Sequence, residues 1–184
     1  MMSTINVTNI KHPSSSTNNI VLASDGTCSI TGGGAILSSG VLSGNGGSGS
    51  GTVTIDSFTG LDFSAATADS RLLVVARTAI QENSNTANVA FIDVLINVGG
   101  ANQSRLCCAR NGSTHGSYGP DFILEISTNT VSPLSATYRT TNINLVFQAQ
   151  LESAGSFYYG DQPTYTSFDG LGAGYNFSYV LFSE

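Results

Sequence analysis

The chain has 184 residues, a formal net charge of −6 and only 10% Asp, Glu, Lys and Arg, against roughly 25% in ordinary soluble domains. Its six basic residues include a single lysine, Lys11, too few to track a phosphate backbone, so nucleic acid is not an expected partner. No apolar run approaches the roughly 18 residues that span a bilayer and no basic, apolar, small-residue start marks a secretory signal, so no membrane partner is expected either. With 40% hydrophobic residues the chain can build a core. Ser, Thr, Asn and Gly carry the surface polarity and favour strands and turns over helix interiors.

Residues 3–10, Ser-Thr-Ile-Asn-Val-Thr-Asn-Ile, alternate apolar and polar at Ile5 and Val7, the period of a strand. Lys11-His12-Pro13 and a serine run break the pattern. Ile20, Val21 and Leu22 form a second apolar stretch, Ser24-Asp25-Gly26-Thr27 reads as a turn, and Cys28–Ile30 can return as a third short strand. Such short strands are marginal alone in water. Ile5, Val7, Ile10, Ile20, Val21 and Leu22 therefore need cover from the rest of the chain, from sister chains or from a docking partner, and residues 1–30 are expected to be an attachment segment. Residues 31–51, with Gly32-Gly33-Gly34 and a glycine-serine run from Gly44 to Gly51, have the composition of a flexible linker. Gly44, Gly46 and Gly49 match G-x-G-x-x-G, but a strand rather than a helix follows, so no dinucleotide site is expected.

From Thr52 onward strands are predicted at roughly 52–58, 70–80, 88–98, 103–110, 121–128, 134–140, 142–151, 157–159 and 174–183, with one helical turn at Ala65–Ala68. Gly99-Gly100, Asn111-Gly112 and Asp169-Gly170 read as turns. Many short strands at near-regular spacing point to a sandwich, jelly roll or barrel. The last strand puts Tyr175, Phe177, Tyr179 and Leu181 on one face and Val180 and Phe182 on the other. A strand apolar on both faces is expected inside the core or at a subunit contact.

Residue types that carry chemistry are sparse. Cys28, Cys107 and Cys108 are an odd set, read as reduced, semi-buried thiols rather than a disulfide framework. His12 and His115, the two histidines, lie in turn-rich sequence with no nucleophile elbow or zinc-ligand spacing around them. Asp161 and Asp169 are the nearest approach to a carboxylate pair, and loop solvation and turn capping account for them. No catalytic residue, metal site or cofactor is expected. Nine of the sixteen Phe and Tyr residues fall between Phe157 and Phe182. Tyr158, Tyr159, Tyr165 and Phe168 sit among Gly, Asp, Pro and Thr, and exposed rings beside Asp suit stacking on sugars. They are the candidate glycan contacts, with packing under a loop or between subunits as the other reading. Tyr175, Phe177, Tyr179 and Leu181 are assigned to the core or a subunit interface.

Met2 to Ser16 (Met-Ser-Thr-Ile-Asn-Val-Thr-Asn-Ile-Lys-His-Pro-Ser-Ser-Ser), then Asn19-Ile20-Val21-Leu22 and Asp25-Gly26, resembles the N-terminus of virion structural and tail-fibre-like proteins of marine cyanophages and related phages. The resemblance covers about the first 30 residues. It implies a phage particle component, made in the bacterial host cytoplasm and joined to other virion proteins through its N-terminus. This chain departs from long tail fibres in having no repetitive shaft, which brings capsid decoration or a short appendage into view. The glycine-rich stem, strand-rich head and aromatic closing strand are similar to trimeric jelly rolls of the tumour-necrosis-factor and complement-C1q type, which implies a homotrimer with C-terminal strands near the axis. The expected organisation is therefore all-β: an extended anchor at 1–30, a Gly/Ser-rich linker at 31–51, and a jelly-roll-like β-sandwich head at 52–184. The expected function is that of a non-enzymatic virion protein, with a host-glycan receptor-binding module as the alternative.

Overall fold

The computed structural model describes residues 9–10, 20–22, 28–30, 35–82, 89–112, 123–152, 155–160 and 174–183. They are almost all strand: β1 (Asn9–Ile10), β2 (Ile20–Leu22), β3 (Cys28–Ile30), β4 (Ile36–Gly44), β5 (Gly47–Ser50), β6 (Thr52–Leu61), β7 (Arg71–Glu82), β8 (Val89–Val98), β9 (Ala101–Gly112), β10 (Ile123–Pro133), β11 (Ile143–Leu151), β12 (Ser156–Tyr159) and β13 (Tyr175–Phe182). One 3-10 turn, Ala136–Tyr138, interrupts them.

β4 to β13 form a sandwich of two antiparallel sheets. In sheet I, β7 carries β10 along one side and β13 followed by β12 along the other; β4 pairs with β13 and β5 with β12. Sheet II has the order β6-β11-β8-β9. Taking β4 with β5 as the first strand line and β12 with β13 as the eighth, the orders are 1-8-3-6 and 2-7-4-5. That is the arrangement of an eight-stranded jelly roll, in which two Greek keys fold onto each other. Strand alternation sets the core: Leu72, Val74, Ala76 and Ile80 of β7 and Phe177, Tyr179 and Leu181 of β13 face Ile92, Val94 and Ile96 of β8 and Ile143, Leu145, Phe147 and Ala149 of β11, all buried. Phe147 of sheet II stacks on Phe177 of sheet I with centroids 4.3 Å apart, and Phe58 meets Tyr179 edge-on at 4.8 Å.

The strand predictions from Thr52 on correspond to β6–β13 with one exception. Residues 134–140 are not a strand: Pro133 ends β10, Leu134 and Tyr138 turn into the core around the 3-10 turn, and the Arg139 guanidinium donates to the Leu134 carbonyl at 2.9 Å. Ala65–Ala68 forms turns rather than a helical turn, and Asn111-Gly112 ends β9 instead of turning. Gly99-Gly100 does turn, both residues with positive φ, and joins β8 to β9. Asp169-Gly170 lies outside the described residues.

The linker expectation for 31–51 is corrected from Ile36 on, because β4 and β5 are the first strand line of sheet I. The glycines there serve a packing purpose. Gly40 pairs with Tyr179, Gly44 with Tyr175, Gly47 with Tyr159 and Gly49 with Phe157. A Cβ at Gly40 would come within 2.8 Å of both the Tyr179 and Phe58 rings, and one at Gly47 within 2.7 Å of the Tyr159 ring carbon that bears its hydroxyl. Rings on one strand therefore lie over bare backbone on the next, a cross-strand pairing of aromatic with glycine that keeps a glycine-rich edge in register.

The eighth line also contains an excursion. Tyr159 pairs with Ile80 and Tyr175 with Thr78 on the same strand β7, so β12 and β13 lie end to end although residues 160–174 separate them. The chain leaves at Gly160, whose N–H donates to the Ala79 carbonyl at 2.9 Å, and returns at Gly174. Both have positive φ, and a Cβ on Gly160 would lie 2.6 Å from Gly46 Cα. The neck of the excursion closes at the junction of β4 and β5.

Candidate functional site

The predicted site residues divide by position. Ile5 and Val7 lie outside the described residues. Ile10, Ile20, Val21 and Leu22 lie in a separate three-stranded sheet, β1-β2-β3, in which Ile10 pairs with Ile20 and Ile20 with Ile30, a single register row. Tyr165 and Phe168 lie outside the described residues, as do His12, His115, Asp161 and Asp169. Tyr159 is on the inner side of sheet I, packed against the core, so it is not a sugar platform. Tyr158 is on the outer side and half-buried. Tyr175, Phe177, Tyr179 and Leu181 all line the inner face, with Phe177, Tyr179 and Leu181 fully buried and Tyr175 at the margin.

At that margin the Tyr175 hydroxyl donates to the Asp56 carboxylate of β6 at 2.7 Å, tying the two sheets. The adjacent negative charge, with partial burial, pushes the phenol up to about 12, so it is a neutral donor. Within sheet I, the Tyr179 hydroxyl bonds Ser38 of the neighbouring β4 at 2.8 Å. These bonds hold the sandwich edge; neither presents a nucleophile.

The outer faces of the two sheets differ in chemistry. On sheet I, the alternation that points Leu72 and Leu181 inward turns Leu73 and Val75 of β7, Val131 of β10, Val180 and Phe182 of β13 and Ile36 and Val41 of β4 outward. Val180, Leu73 and Val131 are direct partners in one row. No layer covers this face among the described residues, and Ile36, Val41 and Val131 are 68%, 67% and 57% exposed. Ser39, Ser178, Asn129 and Arg71 are interleaved with them on the same face.

The outer face of sheet II carries a polar lattice beside outward Phe91, Leu95 and Val146. Thr52 bonds Gln150, Gln150 donates to Asp93 at 2.6 Å, and the Arg105 guanidinium donates to the same Asp93 oxygen at 3.1 Å. This row crosses all four strands from β6 to β9. Thr54–Gln148 and Asn97–Asn144 bonds run beside it. Asp93 is only 2% exposed although it points away from the core, because the Gln150 and Arg105 side chains cover it. Arg105 Nε lies 3.0 Å from Asp93 Oδ1, yet that oxygen receives no directed hydrogen bond; the contact is an ion pair out of line with the N–H. Sequence reading did not single out Asp93. The available signal was a lone carboxylate in the apolar run Phe91-Ile92-Asp93-Val94-Leu95-Ile96.

Cys107 and Cys108 point to opposite sides of β9. Cys107 packs against the core beside Thr128, and burial raises its thiol. Cys108 is on the outer face; partial desolvation and the Asp93 carboxylate push it up to about 11, opposite to the shift of a reactive cysteine. Among the described residues no group of three or more His, Cys, Asp and Glu is placed to hold a metal ion, and no helix is long and apolar enough to cross a membrane.

No family model and no curated protein matches the chain. Solved structures do. The structure of infectious bursal disease virus Gt strain aligns with 100% of this chain and 38% of that chain at 9% identity and a TM-score of 0.45. The VP2 subviral particle of the same virus covers 82% of this chain and 38% of that chain, at 11% identity and 0.41. The Gx strain covers 99% of this chain and 45% of that chain, at 14% identity and 0.40. The chain thus spans about two fifths of the length of these viral chains.

Proposed function

We propose that the chain is a non-enzymatic structural protein of a bacteriophage virion, a short appendage or capsid decoration subunit that self-associates as a homotrimer and joins other virion proteins through its N-terminal segment. One observation carries the reading: the outer face of sheet I holds Ile36, Val41 and Val131 at 68%, 67% and 57% exposure, in a chain whose first 30 residues resemble phage virion N-termini. The jelly roll does not choose among functions by itself, since viral capsid and lectin domains share it. Deleting residues 2–30 is expected to leave a folded head that no longer enters the particle; incorporation of the truncated protein would refute the anchor.

The second reading is a host-glycan module. It rests on Tyr158 alone among the described candidate contacts, because Tyr159 is turned inward. Screening the full chain on a glycan array separates the two, and absence of any bound sugar removes the second.

A further inference from the structure

We infer that the corner of sheet I formed by β4 and β13, with Ile36, Val41, Val180 and Phe182 on its outer face, is where one copy of this chain packs on the next. The inference rests on the self-association proposed above and deepens it by naming the surface and its occupant.

Three features favour a second copy. The first is the state of the edge. Among the described residues β4 is an outermost strand of sheet I, paired with β13 alone, and such an edge is a template for another chain unless charge, proline or a covering element guards it. From Ile36 to Ser50 there is no charged residue and no proline, and Ile36 and Val41 stand two-thirds exposed beside the open edge.

The second is charge. Copies that each carry −6 repel one another, and they approach at least cost where charge is absent. No Asp, Glu, Lys or Arg occurs between Asp25 and Asp56, so the β4 corner sits within the longest uncharged stretch of the sequence. Opposite β4 on the same face, β7 brings Arg71 and Arg77 into the sheet; at β4 itself neither sign is present.

The third is where the preceding chain goes. Ala35, directly before β4, is held by a mutual contact with Ser183: the Ser183 N–H donates to the Ala35 carbonyl at 2.9 Å and the Ala35 N–H to Ser183 Oγ at 3.0 Å. The N-terminal segment is thus tied at this corner, beside Phe182. Four residues separate Ile30 from Ala35, so Ile30 is tethered within about 17 Å of it. Copies that meet at β4 therefore bring their Ala35 residues, and the chain leading into them, to one corner. An apolar outer face on β13 also gives the closing strand the two-sided burial that its sequence demands.

The test uses the full chain and measures its mass in solution by light scattering and native mass spectrometry, with thermal melting and near-ultraviolet circular dichroism to follow the fold. The wild type is expected to contain about three copies. Ile36→Lys and Val41→Lys, both at exposed positions, are expected to give folded monomers, while Thr54→Lys on the outer face of sheet II retains the wild-type mass. The double variant Ile36→Ser with Val41→Ser, which adds no charge, is expected to raise the dissociation constant at least ~10-fold and keeps the test decisive if a lysine variant misfolds. A monomeric wild type overturns the self-association reading and this surface with it. An oligomeric wild type whose mass and dissociation constant survive the β4 substitutions overturns the surface alone, as does dissociation by Thr54→Lys in their place.

Discussion

The two outer faces of the sandwich are built by the same alternation and differ in what their polar residues do. On sheet II, outward Thr, Gln, Asn and Arg form rows of side-chain bonds beside Phe91, Leu95 and Val146, and the one carboxylate among them is covered by its own partners. On sheet I, outward Ile36, Val41 and Val131 are more than half exposed, among Ser39, Ser178, Asn129 and Arg71. A bonded polar row satisfies itself and leaves water as its neighbour, whereas an exposed apolar side chain loses free energy for as long as it stays wet. The difference teaches that the exposed apolar side chains of this jelly roll are concentrated on sheet I.

The largest expected effect separates the two sides of a single strand. Leu181 is fully buried and Val180, its neighbour, is on the outer face. Leu181→Asp buries an unpaired charge and should abolish folding, a loss of several kcal/mol. Val180→Asp should dissociate the copies but leave the monomer folded, read by solution mass and near-ultraviolet circular dichroism. Loss of the folded monomer in both variants would mean that the outer face of sheet I is covered within the monomer.

Next comes the covered carboxylate. Arg105→Ala removes the cation beside Asp93 and opens the carboxylate to water while the Gln150 bond remains, an expected cost of about 1–2 kcal/mol in urea unfolding once solvent screening of the half-exposed guanidinium is allowed for. Replacing a lattice member at the rim, as in Thr52→Ala, should cost under about 1 kcal/mol. Equal effects would mean that the lattice is only a set of independent surface bonds.

Tyr175→Phe should cost about 1 kcal/mol by removing the tie to Asp56. The same bond sets a pH signature. The fold favours the neutral phenol and holds its titration near 12 against an ordinary 10.0. Its contribution is therefore complete below pH 10 and is lost as pH rises from 10 to about 12. The phenylalanine variant should lack that alkaline component in a melting series from pH 9 to 12, and an unchanged alkaline slope would place its origin elsewhere.

The smallest effect is kinetic. Because Cys108 is held near 11 against an ordinary 9.0, its alkylation at pH 9 should be roughly 10-fold or more slower than that of an unperturbed thiol. Asp93→Asn should speed it. Labelling at the rate of a free thiol would show that the carboxylate does not act on the sulfur.

Much of the fold was legible because strands stand out as short runs between turn residues, and in β11 and β13 period-two alternation also marks the inward face, whereas β8 is apolar almost throughout. What stayed hidden depended on partners distant in sequence. Gly40, Gly44, Gly47 and Gly49 have linker composition on their own. They become a strand only against Tyr179, Tyr175, Tyr159 and Phe157, more than a hundred residues later. The glycine-rich stretch and the aromatic-rich stretch, two separate oddities of composition, are two halves of one packing pattern. Asp93 was hidden for a related reason, since its cover comes from Arg105 and Gln150 on two other strands. The open face was half-legible: Val180 and Phe182 marked β13 as apolar on both sides, but not which side lacked a neighbouring layer.

The neck at Gly160 and Gly174 divides the eighth strand line into two halves. Register along β7 is fixed on both sides of the neck, at Tyr159–Ile80 and Tyr175–Thr78, by contacts that do not involve residues 161–173. The two halves are therefore aligned by the strand they share, and the sheet keeps one continuous line across a break in the chain that forms it.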